Sequence, residues 1–203
     1  MELEYYQVDG EYGWDQEKFT DPVMKKGGCG AVTACDSCIY FSKYYGKKEL
    51  YPFDPNNVTS RDYKAFAKMM KPFLGPRMRG IDSLDIYLEG IRGYFKSVGC
   101  DYIETSGFSG HEPYEKAEKT VAAQIDAGYP IPCLTLMHTD RRFKDYSWHW
   151  FMITGYKKAE DKFMIKVVSY GEWVWLDFKA LWDTGYDEKG GLIIFKFRDS
   201  DAH

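Results

Sequence analysis

The pattern of apolar residues changes near the middle of the chain, and this change limits the folds that are open to it. Up to about residue 128, apolar residues recur at spacings of three and four, which is typical of amphipathic helices. After that point the apolar runs are short, aromatic and β-branched, and polar or glycine-bearing turns separate them. Helices that precede a mainly antiparallel sheet, without alternating with its strands, predict an α+β fold.

The boundaries of the predicted elements follow from capping residues, glycines and prolines. A chain of 203 residues has the size of one domain, so we predict a single domain over residues 1–203. Its helical part covers about 22–128 and its sheet part about 129–198. The predicted helices span 29–46, 59–72, 82–95 and 112–127, and the predicted strands span 100–106, 131–137, 148–154, 163–169, 172–177 and 192–197.

Composition and charge exclude several classes of protein. The chain is 44% apolar, which is too hydrophobic for intrinsic disorder. Its formal charge of −4 is spread without a basic stripe, so nucleic acid is not an expected partner. No run approaches the roughly 18 apolar residues of a membrane span, and residues 1–10 lack the basic start of a secretory signal. We therefore expect a cytoplasmic protein without a membrane partner, and the sequence predicts no particular oligomeric state.

The chain contains an odd number of thiols. Its five cysteines would leave one unpaired in a complete disulfide framework, so a reducing compartment is the simpler expectation. Cys35 and Cys38 have the Cys-x-x-Cys spacing of redox and zinc sites, but they lie inside the predicted helix, and no second pair has finger-like spacing. We prefer burial on a helix face for both, and burial in strands for Cys100 and Cys133. Neither a metal ion nor another cofactor is expected.

Cys29 is the candidate nucleophile. It lies where an amphipathic helix should begin, and a helix N-terminus lowers the pKa of a thiol because unpaired N–H groups favour negative charge there. The flanking Gly28 and Gly30 let a substrate approach the backbone, and we predict that N–H groups at these glycines line an oxyanion hole. The competing interpretation is that Cys29 is one small residue in a glycine-rich helix start.

A thiol at this position needs a proton acceptor, and histidine is the side chain whose ordinary pKa suits that task. His203 at the terminus and His111 in a polar turn are expected to be exposed bystanders, while His138 begins a charged loop. His149 opens an apolar run predicted as a central strand, which would hold its ring in one orientation. We therefore predict His149 as the base, with a structural core histidine as the alternative.

Two short motifs resemble those of papain-like bacterial cysteine peptidases, especially the double-glycine leader peptidase group. Residues 28–34, Gly-Cys-Gly-Ala-Val-Thr-Ala, resemble the nucleophile segment of that family. The segment in which His149 is followed after five residues by Gly155-Tyr156 resembles the one around the catalytic base of that family. Residues 127–134 and the Ser-Tyr-Gly run at 169–171 are similar to further family segments, so the resemblance covers roughly residues 22–198. It implies a papain-like fold and places Cys29 and His149 in one site.

The same resemblance places the third catalytic position, which is Asn or Asp in the papain-like family, at Val168 of this chain, with Ser169 beside it. We predict that Ser169 Oγ, or a backbone carbonyl near Val168, fixes the second ring nitrogen of His149. A hydroxyl cannot stabilise imidazolium as a charge does, so a weaker base is expected. Residues 21–26 hold no equivalent of the oxyanion-hole glutamine, which leaves that role to backbone N–H groups.

These residues together predict a cysteine hydrolase for a peptide or amide, acting through a thioester. Cys29 Sγ and a ring nitrogen of His149 are expected within roughly 3 to 4.5 Å of each other. Trp148 and Trp150 are predicted to wall the substrate cleft, although most of the aromatic residues of the chain are expected in its core. An acyltransferase with the same dyad, a papain-fold binding module with a decayed site, and a redox or metal protein built on Cys35 and Cys38 remain alternatives.

Overall fold

The structure, a computed structural model, describes residues 1–77 and 80–198. In chain order the elements are β1 (Gln7–Val8), β2 (Glu11–Tyr12), α1 (Pro22–Gly27), α2 (Cys29–Tyr45), α3 (Ser60–Leu74), α4 (Leu84–Ser97), β3 (Ile103–Ser109), α5 (Tyr114–Asp126), β4 (Ile131–Thr135), β5 (His149–Ala159), β6 (Lys162–Ser169), β7 (Glu172–Asp177), α6 (Phe178–Trp182) and β8 (Gly191–Phe197). Short 3₁₀ helices cover Gln16–Lys18, Lys48–Leu50 and Arg141–Tyr146. His203 lies outside the described residues.

Six of the strands form one sheet in the order β3-β8-β4-β5-β6-β7, and every neighbouring pair in it is antiparallel. The first two strands form a separate short hairpin. Helix α2 packs on β5 and β4 and contacts α3, which contacts α4 in turn, while α5 contacts β5 from its own position in the chain. The predicted α+β class, with helices on a mainly antiparallel sheet, is therefore confirmed.

Helix α2 forms the centre of the molecule, because its residues from Gly30 to Ser42 are buried on all sides. It begins at Cys29 and ends at Tyr45, and the φ of +67° at the following Gly46 provides the left-handed cap that glycine adopts without strain. At the other end, a Cβ on Gly28 would lie 2.4 Å from the Met24 carbonyl oxygen, so only glycine fits where α1 meets α2. Glycines thus fix both ends of the helix that carries Cys29.

The described residues contain two short helices that the sequence pattern did not predict. In α1 the Asp21 side chain accepts hydrogen bonds from the N–H groups of Val23 and Met24, and Pro22 occupies the first turn. In α6 the Asp177 side chain caps the first turn in the same way. Helices of five or six residues are too short to show a periodic apolar pattern, so only their caps signal them.

The boundaries of the other elements differ from the predicted ones by a few residues. Helix α3 continues past Pro72 to Leu74, and β3 begins at Ile103. Strand β3 lies within the part predicted as helical, yet it pairs with β8 at the edge of the sheet. No helix among the described residues is both long and apolar enough to cross a bilayer.

Candidate functional site

Cys29 is the first residue of α2, and it is the only one of the five cysteines that is half-buried instead of buried. The backbone N–H groups of Trp150, Gly30 and Cys29 itself reach its sulfur and favour the thiolate. Burial has the larger effect and raises the pKa of the Cys29 thiol above its ordinary value. The thiol is therefore accessible but protonated at neutral pH.

The predicted oxyanion contribution of Gly28 is wrong, because its N–H donates to the Met24 carbonyl oxygen at 2.8 Å and is no longer available. The N–H groups of Cys29 and Gly30 belong to the first turn of α2, where no carbonyl of the helix can accept them. The oxyanion role of the Gly30 N–H stays a prediction, and the Cys29 N–H is a further candidate donor in place of Gly28.

His149 is the first residue of β5 and is buried. The register of β5 with β6 pairs Met152 with Val168, so Ser169 at the end of β6 lies near the start of β5. The Nε2 atom of His149 is 2.8 Å from Ser169 Oγ, and this contact fixes the orientation of the ring as predicted. The other ring nitrogen, Nδ1, hydrogen-bonds to no described residue.

Tyr170 covers the imidazole. It forms a two-residue turn with Gly171 between β6 and β7, with φ values of +52° and +75°, the backbone of a type I′ hairpin. This turn lays the Tyr170 ring on that of His149 with centroids 4.8 Å apart and planes 4° from parallel. Burial lowers the pKa of His149 to about 4, and burial together with the nearby Cys29 raises the pKa of Tyr170 to about 12.

The two candidate catalytic groups are therefore both uncharged at neutral pH. No hydrogen bond joins Cys29 Sγ to the ring of His149 within the described part of the chain, and their predicted separation stays a prediction. A neutral imidazole with a free Nδ1 can still accept the thiol proton as attack proceeds. Apo sites commonly show looser contacts than the working complex, so this geometry suits general-base action more than a standing ion pair.

Cys29 and His149 line two adjoining spaces. The larger is an open cleft of about 710 Å³ whose described lining also includes Gln16, Trp148 and Tyr170. The smaller is an inner cavity of about 20 Å³, which Ser169 and Asp36 also line. A substrate in the cleft would thus reach both proposed catalytic side chains.

Gln16 is a candidate site residue that the sequence analysis missed. It lines both spaces, its Oε1 is buried without a hydrogen-bond partner, and its side-chain amide bonds to no other described residue. Residues 21–26, where no glutamine was found, belong mostly to α1, which packs against the 3₁₀ helix Gln16–Lys18. Gln16 therefore lies at the site although α1 separates it from Cys29 in the sequence. Gln16 is the nearest glutamine before Cys29, so a wider search window would have found it.

The two predicted cleft tryptophans have different environments. Trp148 lines the cleft, is 38% exposed and has a strained φ of +56°. Trp150 does not line the cleft, which corrects the prediction: its indole stacks on Tyr87 at 4.4 Å and donates to the Ile81 carbonyl oxygen at 2.6 Å. Alternation along β5 directs Trp150 to the opposite side of the strand from His149, where it meets α4 and borders only the inner cavity.

The other described histidines and the other four cysteines lie outside the cleft. His111 is exposed and bonds to Ser109 and to the Asp187 carbonyl oxygen, while His138 uses both ring nitrogens in bonds to the Asp140 N–H and the Ala180 carbonyl. The predicted burial of four cysteines is confirmed. Burial raises the pKa values of these thiols, which makes them poor nucleophiles; they are Cys35, Cys38, Cys100 and Cys133.

Asp36 is a second buried polar group that the sequence analysis did not identify. It lies in α2 two turns after Cys29 and borders the inner cavity. Its carboxylate accepts hydrogen bonds from the hydroxyls of Tyr6 at 2.7 Å, Tyr63 at 2.6 Å and Tyr5 at 3.1 Å. Burial outweighs these bonds and raises its pKa to about 6. The contacts attach the N-terminal segment to α2.

Comparisons with models of protein families, with curated proteins and with solved structures find no match to this chain. Within residues 1–77 and 80–198, no group of three or more His, Cys, Asp or Glu side chains is placed to hold a metal ion. The site must therefore be interpreted from its own residues.

Proposed function

We propose that the protein is a papain-like cysteine hydrolase that cleaves a peptide or amide through a thioester. The observation that carries this proposal is the placement of Cys29, at the start of a buried helix, and His149, fixed by Ser169, on one open cleft. The resemblance of residues 28–34 and 149–156 to papain-like peptidases supports it independently of the geometry.

In the proposed reaction Cys29 Sγ attacks the substrate carbonyl carbon while Nδ1 of His149 accepts the thiol proton. The oxyanion that forms receives hydrogen bonds from the Cys29 N–H and from the Gln16 amide. The imidazolium then protonates the leaving amine, which leaves a thioester on Cys29. Water attacks the thioester with His149 as base and releases the acid and the free thiol. Ser169 acts by positioning the ring.

An acyltransferase would share these steps, with another nucleophile in place of water. The non-catalytic binding module is favoured by the burial of both groups, which raises the pKa of Cys29 and lowers that of His149 to about 4. The redox alternative loses support, because Cys35 and Cys38 are both buried inside α2.

Labelling with iodoacetamide, mapped by mass spectrometry, separates these functions. We expect Cys29 to be labelled first among the five thiols at pH 7, because it alone is half-buried, and we expect His149→Ala to slow that labelling about tenfold by removing the base. Preferential labelling of Cys35 would support a redox protein. Slow labelling at all five positions, unchanged in His149→Ala, would support the binding module and contradict the hydrolase.

Replacing Ser169 by a carboxylate should strengthen the base. A carboxylate at the position now 2.8 Å from Nε2 raises the pKa of His149 by favouring imidazolium, and the thiolate then becomes stable beside it. We expect Ser169→Asp to speed Cys29 alkylation at pH 6 about tenfold, and Ser169→Asn to give a smaller increase through orientation alone. The measurement is the pH profile of alkylation for wild type and both variants. Three coincident profiles would show that Ser169 does not act on the base and would make Asp145 of the preceding loop the next candidate.

A further inference from the structure

Two cationic side chains line the cleft without an ion-pair partner among the described residues. Lys26 lies in the last turn of α1, three residues before Cys29, and Arg77 lies in the connector after α3. Both are exposed. A neighbouring cation behaves differently, since Lys71 is paired with Asp21. The cleft lining therefore includes two cations that no described residue neutralises through an ion pair.

The sign of this charge is opposite to that of the whole chain, which carries a formal charge of −4. Some other cations among the described residues form ion pairs, such as that of Lys116 with Glu112. Asp82 is the carboxylate among the described lining residues, and it already has an interaction partner. Two cations without an ion-pair partner among the described residues, at the mouth of a concave site, raise the local concentration of anionic ligands.

The inner wall of the same cleft is apolar. Ile81, Leu134 and Leu136 border it and are otherwise buried, and Trp148 adds an exposed aromatic surface. A ligand that covers this wall removes apolar surface from water, and its charged part then extends to the rim where the cations lie. The apolar wall and the cationic rim are together complementary to an amphipathic ligand with an apolar body and an anionic end.

We infer that the substrate is an acidic peptide or amide, with an apolar group beside the scissile carbonyl and a carboxylate held by Lys26 and Arg77. The planar guanidinium of Arg77 can take a carboxylate in a bidentate contact, and the Lys26 ammonium adds a point charge. The inference rests on the proposed function, because it assigns a substrate class to the same Cys29 site.

A pair of alkylating probes that differ only in charge tests the inference. N-iodoacetyl-β-alanine carries a carboxylate, N-iodoacetyl-β-alaninamide is neutral, and the rate of Cys29 modification by each is normalised to its rate with the uncharged thiol 2-mercaptoethanol at the same salt concentration. At about 0.02 M salt we expect a five- to tenfold preference for the anionic probe, falling toward unity at about 0.5 M because salt screens the cations. Lys26→Ala combined with Arg77→Ala should remove the preference.

Matched controls are the exposed Lys25 and Arg61, which do not line the cleft, so Lys25→Ala combined with Arg61→Ala should keep the preference. Cys29 modified by both probes without preference, or a preference that survives loss of Lys26 and Arg77, would overturn the inference and leave the hydrolase intact. Equal loss of preference in the control variant would also overturn it, because overall charge would then explain the effect. Failure of both probes to modify Cys29 would contradict the proposed function and the inference together.

Discussion

Gln16→Ala should slow acylation of Cys29 by p-nitrophenyl acetate about a hundredfold while leaving alkylation by iodoacetamide within about threefold of wild type. Acylation passes through an oxyanion, which the Gln16 amide would stabilise by donating a hydrogen bond. Alkylation displaces iodide at a saturated carbon and forms no oxyanion. The two reagents therefore separate an oxyanion donor from a residue that merely shapes the cleft, which would affect both reactions alike.

The measurement compares both rates, with modification at Cys29 verified by mass spectrometry. Gln7→Ala is the matched control, because Gln7 is an exposed glutamine on β1 that does not line the cleft, and both of its rates should equal those of wild type. Parallel loss of the two rates in Gln16→Ala would indicate a structural role. No loss in either would remove Gln16 from the site.

The acid dependence of stability should change in opposite directions in Asp36→Asn and His149→Gln. Because burial raises the pKa of Asp36 from 3.8 to about 6, the folded protein binds this proton first, and Asp36 adds stability as pH falls from 6 to 4. The pKa of His149 falls from 6.5 to about 4, so the unfolded chain binds that proton first, and stability is lost as pH falls through nearly the same range. Each group changes the free energy of unfolding by about 3 kcal/mol over this pH range, and the two changes have opposite signs, so they largely cancel in the wild type.

Urea unfolding between pH 4 and pH 7 measures this difference. Asp36→Asn should lose more stability on acidification than wild type, by about 3 kcal/mol, since only the His149 effect remains. His149→Gln should instead gain about 3 kcal/mol of stability on acidification relative to wild type, since only the Asp36 effect remains. Asp161→Asn, at the exposed turn after β5, serves as the control and should run parallel to wild type. Variant curves that also run parallel to wild type would refute the assigned pKa shifts.

Helices α3, α4 and α5 and the sheet were predictable because each buries one repeated pattern. Helix α2 was predicted as amphipathic, which is wrong, because it is buried on all sides. The glycine at each end of α2 and the β-branched runs after residue 129 identified their elements correctly. The burial of the N-terminal segment was not predictable, because Tyr5, Tyr6 and Trp14 are buried although their neighbours in the sequence are polar. Their burial depends on contacts with α2 and α3, including the Asp36 carboxylate, and no local pattern encodes those contacts.

The site was only partly predictable for a similar reason. Cys29 and His149 were proposed from local context, since each begins an element that the pattern reveals, whereas Ser169 was proposed from the resemblance to papain-like peptidases. Gln16 was missed because α1 separates it from Cys29 in sequence and brings it back in space. Trp150 was misplaced because alternation on a strand specifies a face but not what covers that face, which here is Tyr87.

Whether Cys29 and His149 act together is tested by mass spectrometric detection of an acyl group on Cys29 after mixing with p-nitrophenyl acetate. We expect a thioester at Cys29 that forms and then disappears in wild type, and that forms about a hundredfold more slowly in His149→Ala, whose fold is verified by circular dichroism. A thioester that forms at the same rate in His149→Ala, or acylation spread over other residues with Cys29 unmodified, would contradict this joint action.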